Sequence, residues 1–367
     1  MQVRTIIVAA VAAMLLGAGA VQADVFNMDP NVYGPNVKSL EMVTVGDPGN
    51  AGELSGAGAG GYGPDRICGA VSYEYRIGKY EVTAGQYTEF LNAVGGVDTY
   101  ALYNMTMSNT SSGSGITQSG GGTGGNPYTY SVATDFANRP VNWVSFWDAC
   151  RFVNWLNNDQ PTGPQDAATT ERGAYTLNGY KGADGRTIQR NANAKWAVTS
   201  EDEWYKAAYY KGGSTDAGYW DYPTSSNSVP GTDMTEATNP GNNVNYYYGS
   251  GMPIPIDSGK YTTVAGEFQL SDSPYGTFDQ GGNVVEWNEA IVYEGSDWSY
   301  CGLRGGSFYG GNYDYLHASY RGNDTYYAPP TYEYDNVGFR VSEVPEPGSA
   351  VLLIAGAVAV FRRRAMR

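Results

Sequence analysis

The stretch Tyr275-Gly-Thr-Phe-Asp-Gln-Gly-Gly-Asn-Val-Val-Glu-Trp287 decides the fold prediction for this chain. Its two valines and its tryptophan are typical of a β-strand, whereas the glycines and polar residues before them are typical of a turn. Two carboxylates, Asp279 and Glu286, flank the paired glycines. We therefore predict a strand that is entered through an irregular, polar loop, and we expect that loop to hold a ligand.

The composition is that of an acidic, loop-rich protein. The chain has 367 residues, a formal net charge of −15, 50 glycines and 32 tyrosines. Without its two terminal signals, about 320 residues remain, which we assign to one elaborated domain. The negative charge argues against a nucleic-acid partner, since phosphate binding requires a basic surface. The glycines and tyrosines predict many turns faced with aromatic rings.

Both ends of the sequence have the pattern of sorting signals. Residues 1–23 combine one basic residue, an apolar run and a close of small residues, which predicts a cleavable signal peptide, and a polar leader follows over 24–42. Residues 344–367 run from Pro-Glu-Pro, through an apolar segment too short to span a bilayer comfortably, to an arginine cluster. This tail resembles the PEP-CTERM signal. That resemblance implies a Gram-negative bacterium, tail removal by an exosortase, only transient membrane contact, and delivery to the cell envelope or extracellular matrix. An ordinary tail anchor is the alternative.

Cysteine and histidine usage restricts the possible chemistry. The three cysteines are Cys68, Cys150 and Cys301. They lie far apart without a Cys-x-x-Cys motif, so two of them can pair in an exported protein, but the sequence does not choose the pair. The single histidine, His317, excludes multi-histidine metal sites. A triad of His317 with Ser319 and Asp314 would have nothing else to orient the ring, so we expect a surface imidazole.

Three capping boxes predict three short helices. The pairs are Thr83 with Gln86, Ser145 with Asp148, and Ser200 with Glu203. Each pair precedes apolar residues at helical spacing, which indicates an amphipathic helix. Cys150 falls on the apolar face of the second helix, and we expect the third helix to run to the glycine pair at 212–213.

Two segments of low complexity interrupt this pattern. Gly56-Ala-Gly-Ala-Gly-Gly61 formally matches a dinucleotide-binding fingerprint, but no strand–turn–helix pattern surrounds it, so we predict a flexible loop. Residues 103–126 are rich in Ser, Thr, Asn and Gly, which predicts a solvated insertion that cannot support a core.

Six ordered blocks of sequence resemble those of a known family. They are Lys79 to Phe90, the Pro-Val-Asn-Trp-Val-Ser at 140–145, Trp196 to Ala208, the Gly-Asn-Val-Val-Glu-Trp at 282–287, Leu303-Arg-Gly-Gly-Ser307 and Gly338-Phe-Arg340. In order and spacing they resemble the formylglycine-generating (sulfatase-modifying factor) family, although Ala197-Val198 replaces its usual Leu-Pro. The resemblance implies an α+β domain over residues 43–342, a variant of the C-type-lectin fold with few short helices and much irregular loop.

The resemblance does not extend to the catalytic cysteines. Family members that make formylglycine carry two copper-binding cysteines at the third and eighth positions after the Ser of Arg-Gly-Gly-Ser. This chain has Gly310 and Tyr315 there. A glycine and a phenol cannot replace two thiolates, because cuprous copper prefers soft sulfur ligands. We therefore expect no copper and no formylglycine formation. The related iron-dependent sulfoxide synthases need several histidines, and this chain has one.

The resemblance also implies calcium. One family ion corresponds here to Asp279, the carbonyls of Gly282 and Val284, and Glu286. A second corresponds to Asn243, the Val244 carbonyl, Asp257 and the Gly259 carbonyl. Carboxylate and carbonyl oxygens together suit this hard cation. The alternative is that Asp279 and Glu286 only cap turns.

The segment after Arg-Gly-Gly-Ser is rich in tyrosine, asparagine and aspartate. Rigid rings with polar tips, carried on loops, are typical of recognition surfaces, and other branches of this fold bind ligands with the same C-terminal surface. The residues that we expect to bind a ligand are Tyr313, Tyr315, Tyr320, Asn312, Asp314 and Asn323. The alternative is that the tyrosines pack the interior of a glycine-rich domain.

These inferences predict a secreted, surface-delivered, non-catalytic protein that binds a ligand or belongs to the extracellular matrix. A polysaccharide or an envelope protein is the expected ligand, and an exosortase is the expected processing partner. One alternative is an oxidoreductase of the same superfamily with unrecognised chemistry. Another is a purely structural matrix component, which would have no saturable ligand.

Overall fold

The structure is a computed structural model, and the residues that it describes are 39–234, 241–247, 249, 255–310, 312–322 and 328–345. The predicted signal peptide, most of the predicted leader and sorting tail, and Asn323 lie outside these residues. The described helices are α1 (Ala84–Val94), α2 (Phe146–Asn157) and α3 (Glu201–Tyr209). The described strands are β1 (Met42–Val45), β2 (Glu53–Ser55), β3 (Arg66–Cys68), β4 (Tyr75–Gly78), β5 (Ile116–Ser119), β6 (Thr129–Val132), β7 (Trp196–Val198), β8 (Val285–Glu294), β9 (Ser299–Arg304), β10 (Val337–Phe339) and β11 (Val341–Glu343).

All three predicted capping boxes are confirmed. In each helix the side chain of the first cap residue accepts a backbone N–H from the third helical residue, whose side chain accepts an N–H in return. The third helix ends at Tyr209, before the predicted glycine pair, because Tyr210 turns into an extended bridge with Tyr219. None of the described helices is long and apolar enough to cross a membrane.

Two small sheets form the frame of the domain. The first has the order β1-β4-β11-β7, with every neighbouring pair antiparallel. The second has the order β10-β8-β9, in which β10 runs parallel to β8 and β9 antiparallel to it. The central stretch of the sequence forms a loop that enters β8, as predicted. The α+β fold with few short helices and much loop is therefore confirmed.

Aromatic rings from α1 and α2 fill the main core. Tyr87 stacks on Phe152 with ring centroids 6.1 Å apart, and Phe90 lies 5.4 Å from Trp155. Phe152 also meets Phe339 of β10 edge-on at 5.3 Å. This packing joins both helices to the second sheet, because aromatic pairs add directional contact to the burial of apolar surface.

The cysteines belong to the interior of the domain rather than to disulfides. All three are free and buried, and Cys150 is fully buried on α2 as predicted. Because a buried, unpaired cysteine behaves as a small apolar residue, these side chains contribute to packing.

The prediction for residues 103–126 is wrong in one respect. Met107 and Ile116 are fully buried in the main core, and β5 pairs with β6 along its whole length. The ring of Tyr103 also lies 5.5 Å from that of Tyr130 on β6. A single apolar residue among polar ones is enough to join β5 to the core, because a paired strand directs alternate side chains to one face. Residues 107 and 113–116 are therefore part of the interior, whereas residues 119–121 and 123–126 are exposed, as predicted.

Ile116→Ala tests this correction. We expect the free energy of unfolding to fall by about 2–4 kcal/mol, because the change leaves a cavity in the core. Thr117→Ala, at the neighbouring exposed position on β5, should change it by less than about 0.5 kcal/mol. Denaturant unfolding of both variants measures the difference, and equal, small effects would restore the interpretation as a solvated insertion.

Candidate ligand-binding site

A buried carboxylate fixes the elements around the candidate site. Glu201 is the first residue of α3, and its side chain is 2% exposed. It binds the Nη2 atom of Arg304 at 2.8 Å, the Nε atom of Arg321 at 2.9 Å and the Nη1 atom of Arg66 at 3.0 Å. One carboxylate therefore joins the start of α3 to β3, to the end of β9 and to the segment that follows it.

The charge on Glu201 depends on these arginines. Burial by itself raises the pKa of Glu201, but the attraction of Arg304 and Arg321 outweighs it and lowers the pKa to about 2. The carboxylate is thus ionised across the physiological range, and the cluster is an ion pair rather than a set of neutral hydrogen bonds.

The two ends of the glycine-rich stretch pack against the segment after β9, while residues 57–60 are exposed. The stretch forms a short 3-10 turn, Ala57–Ala59, and the Gly56 amide donates to the Ser319 carbonyl at 2.8 Å. A Cβ atom on Gly61 would lie 2.1 Å from that same carbonyl oxygen, so only glycine permits this approach. The exclusion of a dinucleotide site is consistent with this turn.

A cavity of about 530 Å³ lies between the glycine-rich turn and the segment after β9. Residues 59–62 line one side and residues 312–320 the other, together with Tyr222. The cavity brings together five of the six predicted ligand-binding residues, namely Asn312, Tyr313, Asp314, Tyr315 and Tyr320. Tyr320 stacks on Tyr62 with centroids 5.5 Å apart, and Tyr315 meets it edge-on at 4.8 Å.

Asn312 and Asp314, two of the polar residues predicted to bind a ligand, also form hydrogen bonds within their own turn. Asn312 caps the 3-10 turn Tyr313–Leu316, and its Oδ1 atom accepts the Asp314 amide hydrogen at 3.2 Å. Its Nδ2 atom donates to the Asp314 carboxylate at 2.5 Å. Because these bonds fix the turn, the tyrosines on either side of Asp314 are presented to the cavity in a set direction.

The ring of His317 is oriented by hydrogen bonds with Ser319 rather than by the triad considered from the sequence. Its Nδ1 atom lies 2.8 Å from the Ser319 hydroxyl and accepts the Ser319 amide hydrogen at 3.1 Å, so the proton belongs on Nε2. The Nε2 atom of His317 lies 3.9 Å from Asp221. The partner carboxylate is thus Asp221, not Asp314, and the side chain of His317 is 31% exposed.

The tyrosines of the C-terminal segment divide into two groups. Tyr313, Tyr315 and Tyr320 line the cavity. Tyr332 and Tyr334 instead pack against the main core and stack on each other at 5.7 Å. The packing interpretation therefore applies to Tyr332 and Tyr334, whereas ligand binding by the cavity tyrosines stays a prediction.

Tyr62 and Tyr222 line the cavity but were not predicted from the sequence. Both come from parts of the chain far from the tyrosine-rich segment, and their proximity depends on the close approach of the glycine-rich turn. A tyrosine directly after a dense run of glycines was the one available signal.

The loop predicted to hold the first calcium ion is built around a second buried ion pair. Glu286 is fully buried and binds Arg340 through both carboxylate oxygens, each at 2.7 Å. It also accepts the Trp204 indole hydrogen at 2.8 Å. Gly282, with φ of 81°, and the buried Val284 lie just before Glu286 in the loop that enters β8.

Negative charge is in excess around this pair. Glu81 is 1% exposed, and neither of its carboxylate oxygens has a hydrogen-bond partner among the described residues. Burial raises the pKa of Asp279 to about 6, and the nearby Glu286 adds to the shift. Three carboxylates thus share one guanidinium, that of Arg340. Burial raises the pKa of Glu81 as well, so the neutral forms of Glu81 and Asp279 are favoured where no cation is bound. Calcium at this loop stays a prediction, with Glu81 as a further candidate ligand.

The second predicted calcium site does not fit an ion as it is placed. Its four residues are Asn243, Val244, Asp257 and Gly259. The Asp257 carboxylate binds Arg139, and the Gly259 carbonyl accepts the Ser111 hydroxyl at 3.0 Å. Asn243 accepts a backbone amide hydrogen through its Oδ1 atom at 3.2 Å. In the part of the chain that the structure describes, no three His, Cys, Asp or Glu side chains form a metal site by themselves.

Comparison with known proteins establishes the class of this domain. The family model "Sulfatase-modifying factor enzyme 1-like domain" matches residues 68–344, and the chain belongs to this family. No curated protein matches the chain. Similar solved structures include a Treponema denticola variable protein 1, with 20% identity and a TM-score of 0.47 over 84% of this chain and 97% of that one. Others are the protein CarF (18%, 0.44, over 84% and 99%) and PvdO from Pseudomonas aeruginosa (18%, 0.44, over 83% and 95%).

Glu201→Gln tests the buried ion cluster. Since removal of one partner leaves buried charges uncompensated, we expect a loss of about 3 kcal/mol or more in the free energy of unfolding. Asp202→Asn removes only a partly exposed partner of Arg66 and should cost less than about 1 kcal/mol.

In the native chain the stabilisation that the ionised Glu201 provides should be complete above pH 4.5, the ordinary pKa of a glutamate, and fall as pH drops toward 2. Urea unfolding from pH 2 to 7 checks this, and an unchanged slope in Glu201→Gln would contradict it.

Calcium removal tests the first predicted ion site. Because an ion that binds only the folded state stabilises it by mass action, we expect calcium to raise the melting temperature and a chelator to lower it. The response should disappear in Glu81→Gln and in Asp279→Asn. It should persist in Asp257→Asn, whose carboxylate faces Arg139. The same melting temperature with calcium and with chelator would show that no ion is held there.

Proposed function

We propose that this chain is a secreted, non-catalytic ligand-binding protein built on a sulfatase-modifying-factor-like domain. The observation that supports this most is the tyrosine-lined cavity of about 530 Å³. Its volume falls within the ordinary range of small-ligand sites, and its rings stand beside a few polar groups in the way that orients a ligand. The chain on both sides of the cavity is also attached to the buried ion pairs of Glu201, so the binding groups are held in place before the ligand arrives.

The positions that would carry the catalytic cysteines support the loss of catalysis. Gly310 and Tyr315 are neighbours in space, since a Cβ atom on Gly310 would lie 2.7 Å from the Tyr315 ring. A tyrosine ring thus covers the place where two thiols would stand. Burial raises the pKa of each of the three cysteine thiols of the chain, which disfavours the thiolate form that copper binding needs.

The setting of the proposed activity is the cell envelope or the extracellular matrix. The signal-peptide pattern and the Pro-Glu-Pro tail support export and processing by an exosortase, with the membrane involved only through the tail. The ligand classes that we propose for that setting are a polysaccharide and an envelope protein. The formal charge of −15 argues against nucleic acid.

Tyr315→Ala tests the proposal. A glycan array and an envelope-fraction screen with the mature domain identify a ligand, and titration then measures its affinity. We expect the variant to bind at least about thirtyfold more weakly, since truncation of a central ring at a binding hot spot costs about 2 kcal/mol or more. The melting temperature should hardly change, because Tyr315 is only half-buried.

The matched control is Tyr293→Ala, which truncates a 37% exposed ring outside the cavity and should leave affinity unchanged. Lower stability with unaltered affinity in Tyr315→Ala would show that the ring is a packing residue. A screen without any Tyr315-dependent ligand would overturn the proposed function itself.

A further inference from the structure

We propose that the cavity binds a positively charged group, namely a protonated amine carried on a sugar ring. This inference rests on the proposed ligand-binding function and names the chemical class of the ligand. It follows from the charges around the cavity, from the way nearby arginines are engaged, and from the arrangement of the rings.

Apart from the imidazole of His317, the side chains at the cavity that can carry a charge near neutral pH are carboxylates. Asp314 lines it and is exposed, and Asp221 lies next to it, 3.9 Å from the Nε2 atom of His317. Among the described residues that line the cavity, none is lysine or arginine. Burial, followed by the repulsion of Asp314 and Asp221, raises the pKa of Tyr222 to about 12. Both carboxylates therefore make the potential at this ring negative.

The arginines near the cavity do not line it. Arg304 and Arg321 lie behind the cavity wall and are paired with Glu201. Arg304 donates its remaining hydrogens to the backbone carbonyls of Ala318 and Tyr320, at 3.3 and 2.9 Å. Neither guanidinium therefore lines the cavity, and the carboxylate that does so is that of Asp314.

The rings add a second attraction for a cation. Tyr62, which is 41% exposed, stacks on Tyr320, while the edge of Tyr315 meets that same ring. Tyrosine faces attract an ammonium group by their quadrupole, and they also stack on the apolar face of a sugar. A neutral sugar would use the rings but bring no positive charge to Asp314 and Asp221. An anionic sugar would be repelled by them, so an amino sugar fits both features.

A matched pair of oligosaccharides tests the inference. The probes are a β-linked glucosamine oligomer and its fully N-acetylated counterpart, titrated calorimetrically into the mature domain at a pH where the amines are protonated. The two differ in charge while their rings are alike. We expect the glucosamine oligomer to bind at least about tenfold more tightly, and we expect its affinity to fall as salt is added.

Two variants locate the charge. Asp314→Asn should weaken binding of the glucosamine oligomer by about fivefold and leave the acetylated oligomer unaffected. Asp297→Asn makes the same charge change at the exposed tip of the β8–β9 hairpin, outside the cavity, and should have no effect.

Equal or tighter binding of the acetylated oligomer, binding of neither oligomer, or affinity that does not respond to Asp314→Asn would overturn the inference. The proposed function would survive these results if the screen still yields a neutral or anionic ligand whose binding depends on Tyr315. Its own failure is recognised separately, as the absence of any Tyr315-dependent ligand.

Discussion

The pairing of one carboxylate with three guanidinium groups holds the functional part of this domain together. Glu201 starts α3, and its arginines come from the strand after the glycine-rich turn, from the end of β9 and from the residue next to Tyr320. Buried ion pairs are costly to assemble and more costly to break, so such a cluster fixes geometry even where its net stabilisation is small. Because both sides of the tyrosine cavity are tied to it, the cavity has a defined shape.

The sequence blocks that resemble those of the family supply residues of the buried ion pairs rather than the residues that line the cavity. Glu201 and Trp204 come from one block, Arg304 from another, and Glu286 and Arg340 from two more. Trp204 binds Glu286, so the two buried ion clusters are also linked through α3. Membership of the family thus describes how the domain is held together. The residues that line the cavity lie outside these blocks.

Local signals allowed much of this structure to be predicted from sequence. A capping box involves residues three apart, so the three helix starts could be read directly, and so could the start of the strand that contains Trp287. The errors came from contacts between distant residues. Ile116 is buried because β6 and the main core lie beside it, and Gly61 is fixed because the Ser319 carbonyl lies against it. For the same reason Tyr62 and Tyr222 were missed as cavity residues, whereas the contiguous residues 312–315 were predicted.

The two sides of the cavity differ in how much change they tolerate. On one side, side chains at Gly61 and Gly63 would meet the carbonyl oxygens of Ser319 and Arg321 at 2.1 and 1.4 Å, so that side accepts almost no substitution. On the other, Tyr313 to Tyr315 project from a short capped turn with their side chains partly in solvent. Neighbouring side chains on that turn can therefore be replaced at little cost to the fold, whereas a side chain at Gly61 or Gly63 would displace the backbone packed against it.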